Sequence, residues 1–309
     1  MRYIIEACHD GMLLRNYLLG VANVSRRLLT RLKNDPNGIL LNGQAVTVRA
    51  QLHTGDALHL AWEDSSVTPR GNIVPSDVLP DIVYEDADIL VCNKPAGMPT
   101  HPSHGHFDDT LANAVARYDL NTKGHIGVFR PVNRLDRDTS GIVLIARHQL
   151  AAARLSAAMK NGHIQKSYFA VLEGTLPLPA GMIDAPIRRA EASIITREVC
   201  LPDADGAHAA LTQYQVIATW RAGLHDRTLV KAEPMTGRTH QLRLHFAHLG
   251  APIAGDTLYG LSHAELLPPA RQALHAASLT FPHPTTGKPM TLSAPLSEDI
   301  RSLLPSHCQ

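Results

Sequence analysis

Residues 130–146, RPVNRLDRDTSGIVLIA, set Arg134, Asp136, Arg137 and Asp138 within five positions, directly before a six-residue apolar run. Opposite charge within ~4–6 Å favours the charged form of a carboxylate, and an ionised, desolvated Asp can act as a nucleophile. The bland counterpart is an ion-pair network that only holds a loop. Three other segments carry candidate chemistry. In EPMTGRTHQLRLHFAHLG (233–250), a Thr236-Gly237 turn precedes Arg238, Thr239, His240, Gln241, Arg243 and His245. These are mostly donors, with at least two fixed cations, and suit phosphate or a carboxylate partner. His245 and His248 stand three apart, but no HExxH motif or cysteine pair accompanies them, so no metal centre is expected. In QKSYFAVLEG (165–174), Lys166 and Tyr168 share one side of a strand. An aromatic ring beside a carboxylate could stack on a base; taken alone it is as well explained by core packing. NKPAGMPTHPS (93–103) reads as a stiff loop presenting Lys94 and His101, or as a plain structural turn.

These segments need elements to position them. From Asp81 to the end, strands and helices mix. IVYEDADILVCNKP predicts two strands about a turn, and DTLANAVARY a helix. GIVLIA predicts a buried strand, and LAAARLSAAMKNG a helix closed by Gly162. KSYFAVLEG and LTQYQVIATW read as further strands. With no βαβ alternation and no internal repeat, an α+β domain with a largely antiparallel sheet is expected over 81–309. Residues 64–80 carry Pro69, Pro75 and Pro80 and read as a linker.

Residues 1–63 form a separate small unit. Ser25 suits the N-cap of a helix through SRRLLTRLK. Leu28, Leu29 and Leu32 occupy one face of it. Arg26, Arg27, Arg31 and Lys33 occupy the other, with no acid between them. Leu13, Leu14, Tyr17 and Leu18 suggest an earlier helix. Asn42-Gly43 is a hairpin signal, because type I′ turns need positive φ. GDALHLAW closes the unit as a turn and a strand.

The chain is 44% hydrophobic and 18% charged, enough for a sizeable core; disorder, collagen and coiled coil are excluded as whole-chain descriptions. No apolar run reaches the ~18 residues of a membrane span, and the N-terminal stretch lacks signal-peptide features. Cys8, Cys92, Cys200 and Cys308 are scattered, so neither a zinc ribbon nor a disulfide framework is indicated. A soluble, cytoplasmic, monomeric protein is expected. With 29 Lys plus Arg against 28 Asp plus Glu, net charge is +1, and any basic surface must be local.

Two helices followed by NG and GD turns resemble the small RNA-binding domain of the S-four ribosomal-protein type, over about residues 10–62. That resemblance implies that the Ser25–Lys33 helix tracks an RNA backbone by charge. The segments NRLDRDTSG, KSYFAVLEG, GRTHQLRLH, GDTLYG and RQALHAASLTFPHP, in this order, resemble the RluA-type (RluA/RluC/RluD) pseudouridine synthase family over about residues 81–300. One departure is Asn133, where the family often has His.

The resemblance implies a mixed α/β domain around a twisted, mainly antiparallel sheet. It implies isomerisation of uridine in RNA, in which the base leaves ribose carbon 1′, turns, and rejoins through carbon 5. No cofactor or metal is implied. Asp136 matches the essential carboxylate that starts glycosidic cleavage, and Arg134 the arginine that fills the helix where the uridine flips out. Tyr168 matches the ring packed on uracil, Arg238 the partner of the catalytic Asp, and Leu242 the apolar wall under the base. A flipped base must leave its stack, an Arg plane can replace it, and a water-poor slot protects the detached intermediate. Structured ribosomal RNA is the expected substrate, with transfer RNA as the enzymatic alternative. A non-catalytic RNA-binding or ribosome-assembly factor would be expected to have lost Asp136 or Arg238; both are present. A D-x-D phosphatase of the haloacid-dehalogenase type is a further alternative on Asp136-Arg-Asp138. There the apolar strand precedes the first Asp, whereas GIVLIA follows here.

Overall fold

The computed structural model describes residues 2–61, 73–191, 193, 195–223, 225–260 and 271–306, without the side chain of Arg27. The first unit runs β1 (Arg2–Ile4), α1 (Leu14–Asn16), α2 (Arg26–Asn34), β2 (Ile39–Leu41), β3 (Gln44–Ala45) and β4 (Ala57–Leu60). Its antiparallel sheet has the order β1-β4-β2-β3. Ser25 caps α2, its hydroxyl accepting Leu28 N–H at 3.2 Å. Leu28, Leu29 and Leu32 are buried against Leu14, Leu18 and Leu58. The β2–β3 turn holds Asn42 at φ 52° and Gly43 at φ 81°, as a type I′ turn requires. The earlier helix is shorter than its apolar spacing suggests: α1 widens at once into a π-helical turn, Tyr17–Val21. Gly20 weakens helix propagation there, and Asn23 at φ 53° ends it.

The remainder runs β5 (Ile82–Glu85), β6 (Ile89–Lys94), α3 (Leu111–Lys123), β7 (Ser140–Ala146), α4 (Gln149–Lys160), β8 (Gln165–Glu173), β9 (Ala180–Asp184), β10 (Ile187–Arg189), β11 (Arg197–Val199), β12 (Leu211–Ala222), β13 (His225–Pro234), α5 (Gln241–His248), β14 (Leu274–Pro282), β15 (Pro289–Ser293) and α6 (Glu298–Arg301). Among the described residues, nine strands join in the order β5-β6-β7-β14-β8-β13-β12-β9, with β15 beside β14. Every pairing is antiparallel except β7 with β14. The fold is α+β with a mainly antiparallel sheet.

The unbroken apolar run of β7 follows from burial on both faces. Val143 and Ile145 face one core with Leu90 and Cys92, while Ile142, Leu144 and Ala146 face the other with Ile89 and Val91. Helix α4 covers the second face through Ala151, Leu155 and Ala158. Helices α3 and α5 cover the first, through Leu111, Val115, Leu242 and Phe246. Gly141 sits at φ 112°, where a Cβ would lie 2.2 Å from the Ala276 carbonyl oxygen. Only glycine lets β7 and β14 pair this closely.

Of the stretch read as a linker, 64–72 lies outside the described residues, as does Cys308. The described part is strapped to α3: Asn113 Nδ2 donates to Val74 O at 2.7 Å and Arg117 Nε to Ser76 O at 2.6 Å. No helix of the described residues is long and apolar enough to cross a membrane.

Candidate active site

Asp136 lies on the loop that enters β7, and its two neighbours are fixed from behind by the NKPAGMPT loop. The Thr100 hydroxyl donates to Leu135 O at 2.9 Å and accepts Leu135 N–H at 3.2 Å. Lys94, fully buried at the end of β6, donates from Nζ to Pro95 O (2.8 Å), Met98 O (2.7 Å) and Arg137 O (3.0 Å). Three carbonyls match the three protons of an ammonium. Burial, then the Arg271 charge, bring Lys94 down to about 7, against the pull of Asp136 and Asp138. Arg271 Nη1 holds Asp138 O at 2.9 Å. Asn133 continues the β7 ladder with its side chain: Nδ2 donates to Ile142 O at 3.0 Å and Oδ1 accepts Leu144 N–H at 2.8 Å. An amide does this without titrating, so Asn133 fixes the loop by hydrogen bonds alone.

The opposite wall is the start of α5. The turn before it is closed by buried Gln241, whose Oε1 accepts Arg238 N–H (3.0 Å) and the Thr236 hydroxyl (2.7 Å), and whose Nε2 donates to Leu211 O and Thr212 Oγ1, both at 3.0 Å. This turn places Arg243 Nη1 3.6 Å from Asp136 Oδ2, and His240 Nε2 4.0 Å from the same oxygen. Arg243 is bidentate to Asp256, Nε to Oδ2 at 2.6 Å and Nη2 to Oδ1 at 2.7 Å, and its guanidinium carbon lies 5.2 Å from the Tyr259 ring centre. Burial opposes the Arg243 charge, but hydrogen bonding to Asp256 and the nearby carboxylates outweigh it and raise its pKa. The same burial opposes the Asp256 charge; Arg243 outweighs it and holds Asp256 below the ordinary carboxylate value. His240 occupies the left-handed region at φ 59°, a strain more often kept at functional sites than elsewhere. Burial lowers its pKa although Asp136 pulls upward.

These walls enclose a cleft of about 320 Å3. Arg134, Asp136, Tyr168, Arg238 and Leu242, singled out from the sequence, all line it, with Lys166, His240 and Arg243. Arg134 is exposed; Tyr168 and Leu242 are buried. Burial, and then the charge of Asp136, push the Tyr168 hydroxyl above its ordinary pKa. Lys166 Nζ donates to Thr236 O at 3.1 Å, and burial lowers its pKa.

One expected pairing is corrected. Arg238 does not face Asp136: its Nε donates to Ala209 O at 3.0 Å, and the cation at Asp136 is Arg243. The helix explains this, since α5 begins after Arg238 and turns Arg243 toward the carboxylate. The missed signal was GDTLYG, whose Asp256 demands a buried cation. Of the basic residues on α2, Arg26 and Lys33 are exposed and Arg31 half-buried; they belong to the first unit and none lines this cleft.

Among the described residues, two groups bring three possible metal ligands within 4.8 Å, Glu6–Cys8–His9 and Asp86–Asp88–His283. In the second, His283 Nδ1 accepts N–H groups from Thr285 (3.2 Å) and Thr286 (3.1 Å). Its ring proton is therefore on Nε2, 3.0 Å from Asp86 Oδ2, where a metal would need a lone pair. His245 is enclosed in the core, bonded to Thr212 and Ala185.

A profile of the family described as RNA pseudouridylate synthase matches residues 88–248. The chain is 39% identical over 285 residues to "Uncharacterized RNA pseudouridine synthase YjbO" of Bacillus subtilis, covering 92% of this chain and 96% of that one. It is 36% identical over 291 residues to "Ribosomal large subunit pseudouridine synthase D" of Zymomonas mobilis, covering 91% and 89%. Among solved structures, "Human RNA Pseudouridylate Synthase Domain Containing 1" superposes with a TM-score of 0.58 at 27% identity, covering 74% of this chain and 86% of that one.

Proposed function

The chain belongs to the RNA pseudouridylate synthase family, in its RluA/RluC/RluD type, as an enzyme that isomerises uridine to pseudouridine, and on that premise we propose that Asp136 is its essential carboxylate and large-subunit ribosomal RNA its substrate. The observation that carries the first part is the clamped Asp136 with Arg243 3.6 Å away, over a cleft walled by Tyr168 and Leu242. Uracil is flat and neutral, so a slot of one ring and one aliphatic wall suits it. Asp136 starts cleavage at carbon 1′, and the charge that develops there is met by groups already in place. Tyr168 and Leu242 hold the detached base and exclude water during its turn. Arg134, exposed at the rim, fills the stack that the uridine leaves. Isomerisation rearranges one nucleotide with no net co-reactant, and this reading assigns its steps to these side chains without a cofactor. The basic face of α2 holds flanking RNA by charge. The substrate assignment is supported by relatives named as large-subunit ribosomal synthases; on this reading the protein works in the cytoplasm, with the ribosome. Base-resolution pseudouridine mapping of cellular RNA, with and without the gene, tests it. Loss confined to large-subunit ribosomal RNA is expected; loss confined to transfer RNA would overturn the substrate assignment.

A further inference from the structure

Beside the cleft, and sharing Gly237 and Arg238 with it, lies a second depression of about 480 Å3. Arg188, Arg189, Arg197 and Arg238 line it, with Asp205 as the one carboxylate among its lining residues. Arg188 is already neutralised: its Nε donates to Glu198 at 2.7 Å, and Glu191 lies 3.5 Å from Nη2. Arg189 and Arg238 differ. Arg189 is exposed, and its side chain has no hydrogen bond or ion pair among the described residues. Arg238 is tied through Nε to Ala209 O, and its terminal nitrogens have no partner among the described residues. Arg197 Nη1 donates to the carbonyls of Ile195 (3.2 Å) and Thr196 (3.0 Å).

Two features mark this as more than a charged surface. Arg189 and Arg197 stand directly across from one another in the β10–β11 register. Like charges so placed repel, and an anion between them turns that repulsion into attraction. The ribbon is also wired to the catalytic carboxylate. Arg197 N–H donates to the Tyr259 hydroxyl at 2.9 Å, and that hydroxyl lies 2.8 Å from His240 Nδ1. The other nitrogen of His240 faces Asp136 at 4.0 Å.

We propose that this depression holds phosphodiester groups of the RNA strand flanking the target uridine, through Arg189, Arg197 and Arg238. The proposal rests on reading the Asp136 cleft as the uridine site. Planar guanidinium forks match phosphate oxygens, and a strand whose uridine enters the cleft must carry its neighbouring phosphates past the shared Arg238. That gives Arg238 a task in binding rather than at the reacting carboxylate.

The test compares Arg189→Gln with Arg221→Gln, on unmodified transcribed large-subunit ribosomal RNA. Arg221 lies at the far end of the β12–β13 hairpin, roughly 30 Å along the strands from Arg238, and removes the same charge. Arg189→Gln should lower the slope of log affinity against log salt by ~0.7–0.9. The half-saturating RNA concentration should rise about three- to tenfold at fixed salt, with the saturated rate unchanged. The thermal midpoint should stay level or rise, because the opposed pair is relieved. Arg221→Gln should leave the slope in place. An unchanged slope for Arg189→Gln, an equal loss for Arg221→Gln, or a collapsed saturated rate would each overturn the proposal. Repeating the binding series in an Asp136→Asn background separates the two readings. A wild-type enzyme that converts no uridine in this RNA refutes the large-subunit substrate assignment, and full turnover by Asp136→Asn refutes the cleft assignment, while the binding slopes still decide the depression.

Discussion

Arg238 and Arg243 stand five positions apart and have different surroundings. Arg243 is buried between Asp256 and Asp136, whereas Arg238 is exposed and anchored to a carbonyl. Arg243→Lys keeps the charge but loses the planar fork, so the saturated rate should fall by about 10²-fold, the order seen when one preorganised donor is removed. Arg238→Lys should leave that rate nearly intact. Initial rates of tritium release from 5-tritiated uridine in RNA, over a range of RNA concentrations, check both; the reverse ranking would contradict the geometry. Asp256 supplies a pH test. Its folded pKa lies below its ordinary value of 3.8, so its contribution is complete above 3.8 and is lost as pH falls through the lower folded value. Asp256→Asn should therefore cost about 3–5 kcal/mol at neutral pH, the usual effect of breaking a buried ion pair. The gap to wild type should close in strong acid. Urea midpoints at both pH values measure it, and a gap independent of pH would contradict the pairing.

At the scale of elements, the site is a loop clamped from behind and a helix start facing it. Thr100→Val keeps the shape but leaves both backbone groups of Leu135 unpaired, a cost of ~1–3 kcal/mol. The saturated rate should fall while RNA affinity holds, because Asp136 loses its position and no RNA-facing group changes. Parallel binding and rate measurements decide this; a loss of affinity with an intact rate would contradict it. The sequence shows how much of this was legible. The β6, β7 and β8 strands, α3 and α4 follow from local apolar pattern and caps, and Asp136, Tyr168 and Leu242 from motif. What stayed hidden is long-range: which arginine meets Asp136 depends on the phase of α5 and on a buried acid thirteen positions from Arg243. Lys94 and Thr100 read as a generic loop because their partners, Arg137 and Leu135, are 43 and 35 positions away.

Across the whole molecule, α4 joins the two units. Leu150 completes the core of the first unit, and Arg154 donates to Ala22 O at 3.2 Å and to the Tyr3 hydroxyl at 2.7 Å. The other end of α4 reaches the cleft through Met159. The first unit is thus held within a few helical turns of the site, about 14 Å from Leu150 to Met159 along the axis. Removing residues 1–63 would expose Leu150 and strand Arg154, so charge neutralisation is the cleaner experiment. Replacing Arg26, Arg31 and Lys33 with Gln should flatten the salt dependence of RNA affinity by about 2–3 units. It should also raise the half-saturating RNA concentration without changing the saturated rate. An unchanged slope would mean the basic face is merely solvated. Activity should also persist in excess EDTA, because the proposed chemistry rests on Asp136 and the side chains around it; loss on chelation, restored by magnesium or zinc, would contradict this.

The central claim is that Asp136 carries the reaction. Asp136→Asn keeps the shape of the side chain and the backbone clamps from Thr100, Lys94 and Arg271, and removes only the carboxylate. Tritium release from 5-tritiated uridine, measured beside RNA binding on the same preparation, should show turnover abolished and affinity nearly unchanged. Activity within about tenfold of wild type, a difference of only ~1.4 kcal/mol, would contradict the account.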